Sequence, residues 1–171
     1  MEEEFRTERM LFGMKRISLC LTAHMEACLR EPDISGVQVY LIVYILRHHP
    51  EGTYLTELYR EIGLSKPTLS VMIRKLVEKG YLAFQENPGD IRKKSVLPTA
   101  KLQEKSKRFL EETAQMEAKV CSALSQQEKD QLWRLEEKLL KRLAELERET
   151  KMKKDRRLLK REKSIASAQT V

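Results

Sequence analysis

Between Gly63 and Leu97 the period of the apolar residues changes, and this change restricts the fold more than any other feature of the chain. In LSKPTLSVMIRKL, residues 64–76, Leu69, Ile73 and Leu76 recur at intervals of four and three, the spacing of one helical face. After Gly80 the pattern alternates. YLAFQE, a turn NPGD and IRKKSVL predict a β-hairpin with Leu82, Phe84 and Val96 inward. Ser65 is placed to cap the helix, and Pro67 falls in its first turn, where a fixed φ suits the helix and a missing N–H goes unclaimed. With the three apolar positions inward, Lys66, Pro67, Thr68, Ser70, Val71, Arg74 and Lys75 are left outside.

Helical periods dominate the rest. Residues 2 to about 30 lack proline and carry Leu11, Met14, Ile17, Leu21, Met25 and Cys28 at intervals of three and four, which predicts a long amphipathic helix stopped before Pro32. Ser35 caps a second helix, roughly 36–48, whose VQVYLIVYIL is apolar almost all round and predicts burial. Thr53 is the expected cap of a short third helix through about Glu61, with Gly63 as its stop. Thr99 opens a long helix to about Cys121, and the capping box Ser125-Gln126-Gln127-Glu128 opens a final one striped by Leu132, Leu135, Leu139, Leu143 and Leu146, with Trp133 beside the stripe. With 6 Gly, 5 Pro and 35% charged residues in 171, the expectation is a mainly α fold with one β-hairpin wing.

Composition excludes several classes. The longest apolar run, Tyr40 to Leu46, is far short of the roughly 20 residues that cross a bilayer, and the acidic start does not resemble a signal peptide, so the expectation is a cytoplasmic protein without a membrane partner. Cys20, Cys28 and Cys121 show no CxxC spacing and the three histidines do not cluster with them, which argues against a disulfide framework or a metal site. No Gly-rich phosphate loop or catalytic triad spacing is present, so neither an enzyme nor a cofactor is expected. The net charge of +7 is concentrated. Residues 151–163, KMKKDRRLLKREK, hold eight Lys/Arg against two acids, and residues 64–94 carry a local excess of +4.

A short helix, a glycine turn, a capped helix with a polar outer face and a hairpin tipped by Arg92, Lys93 and Lys94 is the order of a winged helix-turn-helix. Free N–H groups at a helix N-terminus attract phosphate, and short Ser and Thr side chains there allow close approach to base edges in the major groove. A basic hairpin tip is narrow enough to enter the neighbouring minor groove. The candidate DNA-contacting residues are therefore Ser65, Lys66, Pro67, Thr68, Ser70, Val71, Arg74, Lys75, Arg92, Lys93 and Lys94. Pro67 is expected to stiffen the groove-facing end and to offer an apolar surface to a thymine methyl. A winged helix used only for protein contacts is the competing reading.

These residues resemble the MarR family of multiple-antibiotic-resistance regulators over about residues 10–147. The resemblance rests on Gln38, on the block LTELYREIGLSKPTLSVMIRKLVEKGYL, on the PGDIR wing with Asp90 and Arg92, on Val96 and Thr99, and on LSQQEKDQLWRL. The sequence departs from the family pattern at Val71, Arg74, Ile91, Pro98 and Leu102, so operator sequence does not carry over. The resemblance implies a homodimer joined through the first, fifth and sixth helices, the fourth helix in the major groove, Arg92 in the minor groove and Asp90 bracing the wing. Independently, long amphipathic helices flanking a small DNA-reading unit have stripes that need a partner. The expected organisation is a dimerisation helix at 1–32, a DNA-binding region at 33–98, dimerisation helices at 99–150 and a basic tail at 151–171, a mobile or frayed helical extension.

The resemblance further implies a repressor of a pseudo-palindromic double-stranded DNA operator, released by a small lipophilic or aromatic effector. Met14, Met25, Tyr40 and Tyr44 are candidate lining, with His24 and Arg16 as polar groups; the same residues also suit a plain core. Cys20 lies in the helix where the hydroperoxide-sensing branch of the family keeps its thiol, with Arg16 one turn away, which makes a thiol redox sensor the alternative. A buried, inert Cys20 is the competing expectation.

Overall fold

The computed structural model describes the backbone of residues 2–32, 34–87 and 90–168, and side chains over 5–32, 34–86 and 94–154. The elements are α1 (Glu2–Leu29), α2 (Gly36–His48), β1 (Thr53–Tyr54), α3 (Leu55–Ile62), α4 (Lys66–Glu78), β2 (Leu82–Asn87), β3 (Asp90–Pro98), α5 (Ala100–Cys121) and α6 (Gln126–Ala168). They fall into two compact units, residues 1–120 and 121–171.

In the first unit α2 is the buried centre, as its apolar circumference predicts, and Val39, Leu41, Ile42, Val43 and Ile45 are all enclosed. Leu58 of α3, Leu69, Ile73 and Leu76 of α4, Leu82 and Val96 of the sheet, and Leu102 and Phe109 of α5 complete one core. The approach of α1 to α2 depends on Gly36. A Cβ there would stand 2.0 Å from the Thr22 carbonyl oxygen, and the Gly36 N–H donates to Glu26 Oε2 at 2.6 Å. Gln38 is buried but satisfied, its Oε1 accepting from the Ser35 N–H at 3.1 Å and from Lys79 Nζ at 3.3 Å, which ties the start of α2 to the end of α4.

The sheet departs from the expected hairpin. It has three antiparallel strands in the order β1-β3-β2, with Thr53 paired to Val96 and Tyr54 to Ser95. Thr53 is thus a strand residue and not the cap of α3. Its hydroxyl donates to Glu57 Oε2 at 2.5 Å, and that carboxylate accepts from the Tyr54 N–H at 3.3 Å, so the cap is built from α3 backwards. Gly63, at φ 72°, ends α3 as expected. Phe84 is a second correction: it pairs with buried Val96, yet it is 39% exposed, because β2 runs on from Leu82 past the apolar core.

In the second unit the capping box at the start of α6 is formed, with the Ser125 N–H donating to Glu128 Oε2 at 2.8 Å and the Glu128 N–H to Ser125 Oγ at 3.3 Å. The helix then continues through residue 150 to Ala168, so the basic segment is a helical extension of α6. Among the described residues no helix is long and apolar enough to cross a membrane.

Candidate nucleic-acid interface

The sequence of α4 dictates both its start and its facing. Ser65 has the extended backbone of an N-cap, at φ −64° and ψ 147°. Its Oγ accepts from the Thr68 N–H at 3.3 Å and shares a hydrogen bond of 2.7 Å with Thr68 Oγ1. Pro67 occupies the first turn. Leu69, Ile73 and Leu76 are buried, and Ser65, Lys66, Pro67, Thr68, Ser70, Val71, Arg74 and Lys75 are all exposed, as the period predicts. Pro67 and Val71 are four apart and so adjacent on the helix surface, and Val71 is 49% exposed, an apolar spot within a polar face.

Tyr59 of α3 is a neighbour that the helical period does not reveal. Its ring lies 5.0 Å from Lys66 Nζ, close enough for a cation–π contact that restrains this lysine beside the α4 N-terminus. On the wing, Lys94 is exposed, 3.8 Å from Glu86 Oε1 and 6.0 Å from the centre of the Phe84 ring, so its charge is partly offset by its strand neighbour. The side chains of Asp90, Arg92 and Lys93, expected to brace the wing and contact DNA, lie outside the described residues.

The expected effector residues spread over the first unit. Met25 is in the core, Met14 and Tyr40 are exposed, and Arg16 is exposed on α1. The Tyr44 hydroxyl donates to Glu61 Oε2 at 3.2 Å, and His49 Nε2 is 2.7 Å from the same oxygen. Of the six, only His24 lines the cavity of about 710 Å³ between the end of α1 and α5. Cys20 is exposed, which corrects the expectation of a buried thiol: it falls outside the Leu21-Met25-Leu29 side of α1 that joins the core.

Glu31, in the connection between α1 and α2, is absent from the residues that sequence patterns single out. Its side chain is 8% exposed and accepts from the Tyr81 hydroxyl at 2.6 Å, from Arg108 Nη2 at 2.6 Å and from Lys105 Nζ. Burial would raise its pKa, but the hydrogen bonds from Lys105, Tyr81 and Arg108 outweigh burial and lower it from 4.5 to about 2. No local signal marks Glu31, because its partners are 50, 74 and 77 residues away.

A MarR family model matches residues 33–93. No curated protein matches the chain. Among solved structures it is similar to the S. aureus MepR–DNA complex, at 23% identity and a TM-score of 0.69, covering 77% of this chain and 96% of that one. It is also similar to a putative MarR family transcriptional regulator from Listeria monocytogenes complexed with a 26mer DNA, at 19% identity and a TM-score of 0.70, covering 79% and 89%. A mutant of MarR from E. coli complexed with operator DNA shares 21% identity and a TM-score of 0.67, covering 81% and 96%. The matched region contains α2, β1, α3, α4 and β2, so over residues 33–93 the chain is similar to the MarR family, and beyond that region it shares the fold of these structures.

Proposed function

We propose that the chain is a transcription regulator that binds double-stranded DNA as a homodimer and represses from a pseudo-palindromic operator. The observation that carries this reading is the outward face of α4, where a capped N-terminus, the cations Lys66, Arg74 and Lys75 and short hydroxyl side chains stand exposed together over a buried Leu69-Ile73-Leu76 seam. The similar structures that hold DNA support it. Arg92 and Lys93 at the wing tip are proposed minor-groove and phosphate contacts, braced by Asp90, and the lysines and arginines of 151–163 add phosphate contacts. An anisotropy titration with the chain's own upstream DNA and an unrelated duplex tests the reading, and equal affinity for both contradicts it.

Dimerisation is supported by the apolar residues that each unit leaves uncovered. Phe5, Phe12, Ile17 and Leu19 are exposed on α1, and Trp133, Leu140 and Leu143 on α6. Sedimentation equilibrium tests this, and a monomer at micromolar concentration contradicts it. A small effector is proposed to release the DNA, which an anisotropy titration of the complex with candidate ligands tests. The exposure of Cys20 favours a second reading, a thiol sensor. Operator binding that peroxide leaves unchanged removes it.

A further inference from the structure

With roughly 100° of turn per residue, the point of α4 opposite its buried Leu69-Ile73-Leu76 seam can be placed on the helix surface. Pro67, Val71 and Arg74 follow that line at intervals of four and three, and all three are exposed. They form the ridge that stands farthest from the core. Lys66 and Ser70 lie on one flank of the ridge, and Thr68 and Lys75 on the other. The outward face is therefore an apolar-apolar-cation ridge with a lysine on each side.

Each part of this arrangement suits a different part of a DNA groove. Lysines act as point charges, which suits the phosphate walls, and Lys66 is held on its flank by the Tyr59 ring at 5.0 Å. Among the described residues nothing pairs with Arg74, so its planar fork is left for the paired acceptors N7 and O6 of a guanine. The side chains of Pro67 and Val71 have no hydrogen-bonding group, and the one apolar group on a base edge in the major groove is the thymine methyl. Over any other base the same ridge would strip water from donors and acceptors without replacing it, so it both favours thymine and penalises the rest. Glu78 continues the line at the far end of the helix, where phosphates repel it and leave the N-terminal half to enter the groove.

Resting on the DNA-binding reading above, we propose that Pro67, Val71 and Arg74 are the specificity-determining residues, and that each operator half-site offers thymine methyls to Pro67 and Val71 and a guanine to Arg74. From Pro67 to Arg74 the helix rises about 10 Å, or three base steps of roughly 3.4 Å, so these bases fall within about four base pairs.

The test selects duplexes with the full chain from a pool whose central segment is randomised. The selected duplex is then titrated by anisotropy with thymine replaced by deoxyuridine, which lacks only the methyl, or with guanine replaced by 7-deazaguanine, which lacks only the N7 acceptor. Selected half-sites are expected to carry thymines and a guanine within about four base pairs. Deoxyuridine should weaken wild-type binding about tenfold and leave the double variant Pro67→Ser, Val71→Ser nearly unaffected. The 7-deazaguanine duplex should weaken wild type about tenfold and leave Arg74→Ala unaffected, while Arg74→Ala keeps the full loss on deoxyuridine. The base replacements test the ridge in the unaltered protein, so the result does not depend on how a variant folds. Half-sites without these bases, a wild type indifferent to both replacements, or losses that persist undiminished in the variants overturn the ridge while leaving sequence-specific DNA binding in place. A pool from which no sequence is enriched overturns the DNA-binding reading itself, and the ridge with it.

Discussion

Replacing Glu31 by Gln removes a charge but keeps the shape of the side chain at the junction of the α1–α2 connection, Tyr81 and α5. A carboxyl lowered from 4.5 to about 2 favours the folded, ionised state by about 3 kcal/mol. Because Lys105 and Arg108 are 33% and 44% exposed, both rehydrate once the carboxylate is gone, and the loss should stay near that figure. The sign follows from the lowered pKa. The stabilisation is complete above pH 4.5 and is lost as pH falls through about 2. Urea unfolding followed by circular dichroism at fixed protein concentration should thus find Glu31→Gln less stable than wild type by about 3 kcal/mol at pH 7 and by about 1.4 kcal/mol at about pH 3. Other carboxyls are common to both proteins and cancel in the difference. A gap that stays constant between those two pH values refutes the ion-pair account of this junction.

Gly36→Ala should destabilise by about 2 kcal/mol or more in thermal melting, because its Cβ would meet the Thr22 carbonyl at 2.0 Å and backbone must move. Ser65→Ala should cost about 1 kcal/mol of stability by removing the acceptor of the Thr68 N–H, read by the same melts. Lys66→Ala should weaken binding to every duplex alike and reduce the slope of log K against log salt by about 1, read by anisotropy. A slope left unchanged would take Lys66 off the phosphate backbone.

The outward face of α4 is legible in the sequence because a helix that buries one side announces the other through its period, and Leu69, Ile73 and Leu76 do so without ambiguity. The cap at Ser65 is legible because its partner, Thr68, is three residues away. β1 is not, since two residues carry no period and its pairing partners Ser95 and Val96 are roughly forty positions on. Phe84 alternates correctly, but alternation says nothing about where the covering layer stops. Glu31, Arg108 and Tyr81 meet only through the fold, and no spacing rule relates them.

Whether the outer face of α4 reads DNA sequence is decided most directly by fluorescence anisotropy of the chain with its own upstream DNA and with an unrelated duplex, at two salt concentrations, for wild type and Arg74→Ala. The expected result is a wild-type preference for its own DNA of roughly 10³-fold or more that survives the higher salt, and a loss of about tenfold of that preference in Arg74→Ala. Equal binding to both duplexes, abolished at the higher salt and unchanged by Arg74→Ala, would contradict it.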